Sequence, residues 1–167
     1  MKIIGIDTAL RCTGYGLLEV SGKRYAAIDC GVITNSRKAP ISECLRRLAS
    51  GVQEIISSFQ PHAAAIEGGF YFKNAKTAMV LGMTRGVVVA ILAQSKIPIY
   101  EYAPRRAKQT VVGYGNATKE QVACCMAQML ALNTVDIPND STDAMAVAMC
   151  HALTHQCGSG IYLPNLI

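Results

Sequence analysis

Charge is scarce in this 167-residue chain: Asp, Glu, Lys and Arg make up only 16% of it, against 51% hydrophobic residues. That balance excludes an intrinsically disordered chain, which needs low hydrophobicity and high net charge. No continuous apolar run approaches the ~18 residues of a membrane span, and the N-terminus lacks the long apolar stretch of a signal peptide. The seven cysteines include no C-x-x-C pair, and their odd count argues against a closed disulfide framework. Reduced, mostly buried thiols in a cytoplasmic protein are the expectation. Cys150, His151, His155 and Cys157 do cluster, and the two histidines share a helix face, but the glutamate of H-E-x-x-H and a second ligand pair at finger spacing are missing. No repeat, low-complexity tract or linker interrupts the chain. We expect one compact domain over residues 1–156 and a C-terminal tail over 157–167.

What is present has clear periodicity. Residues 2–7, about 13–20 and about 24–34 read as strands, with a V-S-G-K turn joining the second and third into a hairpin. Ile41, Leu45, Leu48, Val52, Ile55, Ile56 and Phe59 recur at helical spacing, with Pro40 at the start and Gln60-Pro61 at the end. Residues 62–67 form a short apolar strand. A long helix with small residues (Ala75, Ala78, Gly82, Gly86, Ala90) spans 74 to about 94, and 97–102 is a fifth strand. Helices near 104–112, 118–131 and 141–156 follow. The order predicts an α/β fold, a five-stranded mixed sheet flanked by helices on both faces.

Carboxylates stand where this pattern should be apolar. Asp7 ends the first strand and Glu67 ends the fourth. Asp140 and Asp143, three apart, share a face at the start of the last helix. If strands one and four are parallel neighbours, their C-terminal ends meet at the sheet edge where open α/β folds bind ligands. Four converging acids repel one another unless a cation neutralises them, and oxygen-only ligands suit Mg²⁺ or Mn²⁺. A local reading stands beside this one: Asp7 accepting hydrogen bonds from the 8–12 turn, Asp140 capping its helix and Asp143 complementing the helix dipole.

The net charge of +5 lies entirely between Glu67 and Glu120, where eight basic residues face three glutamates. A basic middle predicts a polyanionic partner. Within it, G-G-F-Y-F-K-N follows Glu67 directly, and three consecutive aromatics cannot all enter one core face. An exposed ring beside a lysine suits base stacking with a phosphate contact. Packing in the core serves Tyr71 and Phe72 equally well. Gly68 and Gly69 would let the backbone approach a substrate, and Gly14 and Gly16 read either as room beside Asp7 or as a bulge.

Together, G-I-D at 5–7, I-E at 66–67, F-Y-F-K-N at 70–74, E-Y-A-P at 101–104, K-Q-T-V-V-G-Y-G at 108–115 and D-S-T-D-A-M-A-V-A at 140–148 carry a resemblance. In this order and spacing, over residues 1 to about 155, the chain resembles the RuvC family of Holliday-junction resolvases. The resemblance implies an RNase H-like fold and a structure-selective endonuclease that resolves four-way DNA junctions by paired symmetric nicks. It implies two Mg²⁺ ions, with Mn²⁺ able to substitute, held by Asp7, Glu67, Asp140 and Asp143. Products with 5′-phosphate and 3′-hydroxyl ends follow from that chemistry. Lys108 and Lys119 match positions near the scissile phosphate, with Lys119 counted among the catalytic residues. Phe70 would probe the bases at the crossover, while Lys73, Lys76 and Arg105 are candidate DNA contacts. A homodimer working with a branch-migration helicase complex is also implied. The nearest rival is an RNase H-like nuclease acting on other branched DNA or structured RNA. Sugar-kinase or actin-like ATPases need a duplicated domain and glycine-rich phosphate loops that 167 residues do not supply.

Overall fold

A computed structural model describes residues 1–68, 74–132, 138–156 and 165–167. Strands β1 (Lys2–Asp7), β2 (Cys12–Ser21), β3 (Arg24–Thr34), β4 (Ala63–Glu67), β5 (Ile99–Tyr102) and β6 (Asn165–Leu166) form one sheet in the order β3-β2-β1-β4-β5-β6. β1, β4 and β5 run parallel, and β2, β3 and β6 are antiparallel to their neighbours. The expected five strands are therefore present. The addition is β6, in which the end of the tail pairs with β5.

Helices α1 (Ile41–Phe59), α2 (Ala75–Gln94), α3 (Pro104–Val112), α4 (Lys119–Leu130) and α5 (Asn139–Gln156) cover the two faces. The alternation of β1 dictates the partition. Ile4 and Ile6 enter a core with Leu48, Val52, Val88 and Leu92 of α1 and α2. Ile3 faces the other side, among Val122, Met126, Met145 and Met149 of α4 and α5. Each such side chain, fully buried, contributes roughly 1.5–3 kcal/mol.

α5 is buried along most of its length, lying between the sheet and α3 and α4. Three strand glycines let it come this close. A methyl group on Gly5 would overlap the Ala144 carbonyl oxygen, one on Gly14 the Asp140 carbonyl oxygen, and one on Gly16 the Met145 side chain. Gly14 and Gly16 thus serve helix approach, and the register shift in the β2–β3 pairing falls elsewhere, at Leu17/Leu18. α5 also begins at Asn139, two residues earlier than expected, which puts Asp140 inside the first turn instead of at the cap.

Two sequence features find their place here. No continuous apolar run reaches ~18 residues, yet α2 is long and apolar enough, by length and composition, to cross a membrane, with Lys76 and Arg85 its only charged residues. In this fold the helix buries Thr84, Val88 and Leu92 against the sheet and leaves Met79 and Met83 exposed. In the C-terminal Cys/His cluster, His151 and His155 stay close, with ring centroids 5.7 Å apart, but Cys150 Sγ donates to Thr110 Oγ1 on α3 at 3.5 Å and His151 Nδ1 lies 2.8 Å from the Tyr102 hydroxyl on β5. Cys157 is outside the described residues.

Candidate active site

The parallel β1–β4 pairing aligns Ile6 with Ile66, so the next residues, Asp7 and Glu67, emerge together at the C-terminal edge of the sheet. On the far side of Asp7, β2 pairs Gly14 with it, and Gly14 is where the first turn of α5 descends. Asp140 and Asp143 arrive from that turn and the next. Carboxylate oxygens of Asp7, Asp140 and Asp143 all lie within 4.8 Å of one another. Glu67 joins the group through a hydrogen bond between its carboxyl and that of Asp7.

The electrostatics follow from this crowding. Burial, then the Asp7 charge beside it, pushes Glu67 up to about 7. Asp7 is also raised, first by burial and further by Asp143 and Asp140, although the bond from Glu67 opposes the rise. Two carboxyls sharing a hydrogen bond need a proton between them when no cation is near. Cys12 adjoins the cluster: burial, then the neighbouring Asp140, pushes its thiol up to about 11.

Lys119 supplies the opposing charge. Thr118 caps α4 with a reciprocal pair of bonds: Gln121 N donates to Thr118 Oγ1, and Thr118 N donates to Gln121 Oε1. The cap fixes Lys119 as the first helical residue, where a cation opposes the helix dipole. Its ammonium instead pairs with Asp143 Oδ2 at 2.7 Å, and that bond raises the lysine's pKa. Lys108 Nζ donates to the Ala117 carbonyl at 2.9 Å, bracing the α3–α4 connection. Asp7, Glu67, Asp143, Lys108 and Lys119 line one cleft of about 170 Å³.

The donor set fits a hard divalent cation: oxygen ligands only, clustered and mutually repelling, with burial and neighbouring charge raising Asp7 and Glu67 in a way that a cation would reverse. Asp7, Asp140 and Asp143 could hold one directly, with Glu67 beside Asp7. Lys76 and Arg105 do not line the cleft. Lys76 is exposed in the first turn of α2, and Arg105 donates to Asn116 Oδ1 at 3.0 Å on the exposed side of α3. Phe70 and Lys73, together with Gly69, Tyr71 and Phe72, lie outside the described residues.

Sequence reasoning missed two neighbours of the acids. Cys12 gave no signal beyond its place five residues after Asp7. Arg85 did give one, as a lone cation in the interior of an apolar helix, where a charge needs a partner. Its Nη1 donates to the Glu67 backbone carbonyl at 2.6 Å, and its Nη2 pairs with Glu101 Oε2 at 3.1 Å.

The family model for crossover junction endodeoxyribonuclease RuvC matches residues 3–151. The crossover junction endodeoxyribonuclease RuvC of Pelotomaculum thermopropionicum is 43% identical over 152 residues, covering 91% of this chain and 93% of that protein. The Chloroflexus aggregans protein of the same name is 42% identical over 154 residues, with coverage of 92% and 94%. Among solved structures, T. thermophilus RuvC in complex with a Holliday junction substrate superposes with a TM-score of 0.90 at 28% identity, covering 100% of this chain and 99% of that one. An α5 seated on strand glycines, acids meeting at the β1 and β4 ends, and matches along nearly the whole chain agree: this protein belongs to the RuvC family of crossover junction endodeoxyribonucleases.

Proposed function

We propose that this chain is a Mg²⁺-dependent endonuclease that resolves four-way DNA junctions by paired symmetric nicks. The observation that carries the reading is the meeting of Asp7, Asp140 and Asp143 within 4.8 Å at the sheet edge, with Glu67 bonded to Asp7. These four carboxylates would hold two Mg²⁺ ions, with Mn²⁺ as a substitute. When bound, such ions supply an activated water and neutralise the leaving 3′ oxygen of the phosphodiester. A bound cation would favour the ionised forms of Asp7 and Glu67, whose pKa values burial and neighbouring carboxylates raise. Lys119, held over the cleft by Asp143, places positive charge where the phosphate gathers negative charge. Lys108 braces the start of α4, from which Lys119 projects, through the Ala117 carbonyl. Products carry 5′-phosphate and 3′-hydroxyl ends. Phe70, Lys73, Lys76 and Arg105 are proposed as DNA contacts outside this centre.

Paired nicks need two such centres related by a two-fold axis. The outer face of α2 supports a homodimer: Met79 is 68% and Met83 43% exposed, and a methyl group on Gly82 or Gly86 would meet none of the described residues within 4 Å. Apolar residues beside glycines form a surface that a second helix can approach closely. The family resemblance supports a branch-migration helicase complex as partner and the cytoplasm as location, with residues 1–156 as the nuclease domain.

Incubation with a synthetic four-way junction, with and without Mg²⁺, tests the reading. Flaps, duplexes and RNA–DNA hybrids belong in the same panel. Metal-dependent symmetric nicks confined to the junction are expected. Equal cutting of flaps or hybrids would favour a nuclease with another substrate.

A further inference from the structure

The peptide unit between Glu67 and Gly68 is held from both sides. Its carbonyl accepts the 2.6 Å bond from Arg85 Nη1, and its N–H donates to the Tyr102 carbonyl of β5 at 2.9 Å. β1 gives no support here, because its pairing with β4 ends at Ile6 and Ile66. Arg85 is itself oriented by Glu101, and both side chains are largely withdrawn from solvent, at 17% and 29% exposure. Gly68 completes the arrangement: a methyl group there would collide with the Glu101 carboxylate and its Cγ. Arg85 of α2, Glu101 of β5 and Gly68 just past β4 therefore fit together behind one carboxylate of the site.

We propose that Arg85, oriented by Glu101 in the space left by Gly68, is a positioning residue that sets the Glu67 carboxylate for cation binding. The inference rests on the reading of Glu67 as a metal ligand. A strand end paired on one side only can rotate about its last peptide, and that rotation would swing the Glu67 side chain away from Asp7. The guanidinium removes this freedom with a charge-assisted bond to a backbone oxygen.

Outer-shell partners of metal ligands typically change affinity or activity by about 10–100-fold when removed. Arg85→Gln should raise the Mn²⁺ dissociation constant by about that factor, read by titration calorimetry on the intact protein without DNA. Junction affinity in EDTA should stay within about twofold, since the phosphate contacts lie elsewhere. Arg85→Lys should recover part of the metal affinity, because an ammonium can reach one of the two oxygens but lacks the fork. Glu101→Gln, which loosens the guanidinium without removing it, should shift affinity in the same direction by less, and it serves if Arg85→Gln does not fold. Wild-type Mn²⁺ affinity in folded Arg85→Gln or Glu101→Gln would overturn the proposal. So would a loss of affinity explained wholly by the unfolded fraction in thermal melts. Weak Mn²⁺ binding by wild-type protein, or full binding by Asp143→Asn, would instead overturn the reading on which the inference rests.

Discussion

The carboxylates of the site differ in what removing each should reveal. Asp143→Asn keeps the size of the side chain but removes a charge, a proposed cation ligand and the 2.7 Å partner of Lys119. Lys119 is more than half exposed, so loss of the pair should cost no more than about 1 kcal/mol of stability. Cleavage should fall by orders of magnitude while junction binding persists, since removing a carboxylate lessens repulsion of DNA. Gel-shift and single-turnover assays on one preparation measure both, and equal loss of the two would indicate misfolding. Glu67 makes a second prediction, about pH. Its pKa is raised above 4.5 by burial and by Asp7, so the folded protein binds an extra proton between the unfolded value and about 7. Stability without metal therefore falls as pH rises through that window. Glu67→Gln should gain on wild type from pH 5 to pH 8 in EDTA, as followed by urea denaturation. Added Mg²⁺ should reverse the order at pH 8. His151, held neutral by burial at about 4, titrates alike in both proteins and cancels from the comparison.

Among the elements, α5 decides the site, because it delivers two acids while filling the core between sheet and outer helices. Its seat depends on backbone-to-backbone contact at Gly5 and Gly14, which no rotamer change can relieve. Gly14→Ala should push the first turn of α5 outward, destabilising the protein by roughly 1–3 kcal/mol as overpacking does. Cleavage should fall by more than the folded fraction does, because Asp140 moves with its own carbonyl. Differential scanning calorimetry alongside single-turnover rates separates the two effects. Elements with a strong local pattern are legible in the sequence: α1 spans Ile41–Phe59, as the spacing of Ile41, Leu48, Val52 and Ile55 requires. The start of α5 lies two residues before the expected one because Pro138, not an aspartate, accepts from the Ser141 and Thr142 amides.

For the whole molecule, the apolar outer face of α2 predicts a dimer. Met79→Asp with Met83→Asp should yield a monomer by sedimentation equilibrium. Its melting temperature should match the wild-type monomer's, since both side chains are exposed in the chain. The monomer should nick junctions singly and without coordination, visible as accumulation of nicked circles from a cruciform plasmid. Retained dimers would move the interface to another surface.

Some of this was determined locally and some was not. Asp7 and Glu67 were legible because each ends an apolar strand, where a charge has no place unless something answers it. Asp140 and Asp143 were legible as a pair because three residues apart means one helix face. Their convergence belongs to the tertiary structure, since it depends on β1 and β4 being parallel neighbours and on α5 crossing their ends. Neither pairing partner nor helix seat is encoded within any one segment. The same holds for Gly14, whose neighbour is Asp140, and for Arg85, whose partners are Glu67 and Glu101. Local periodicity reports which way a side chain faces. What it meets there is decided only when distant segments pack.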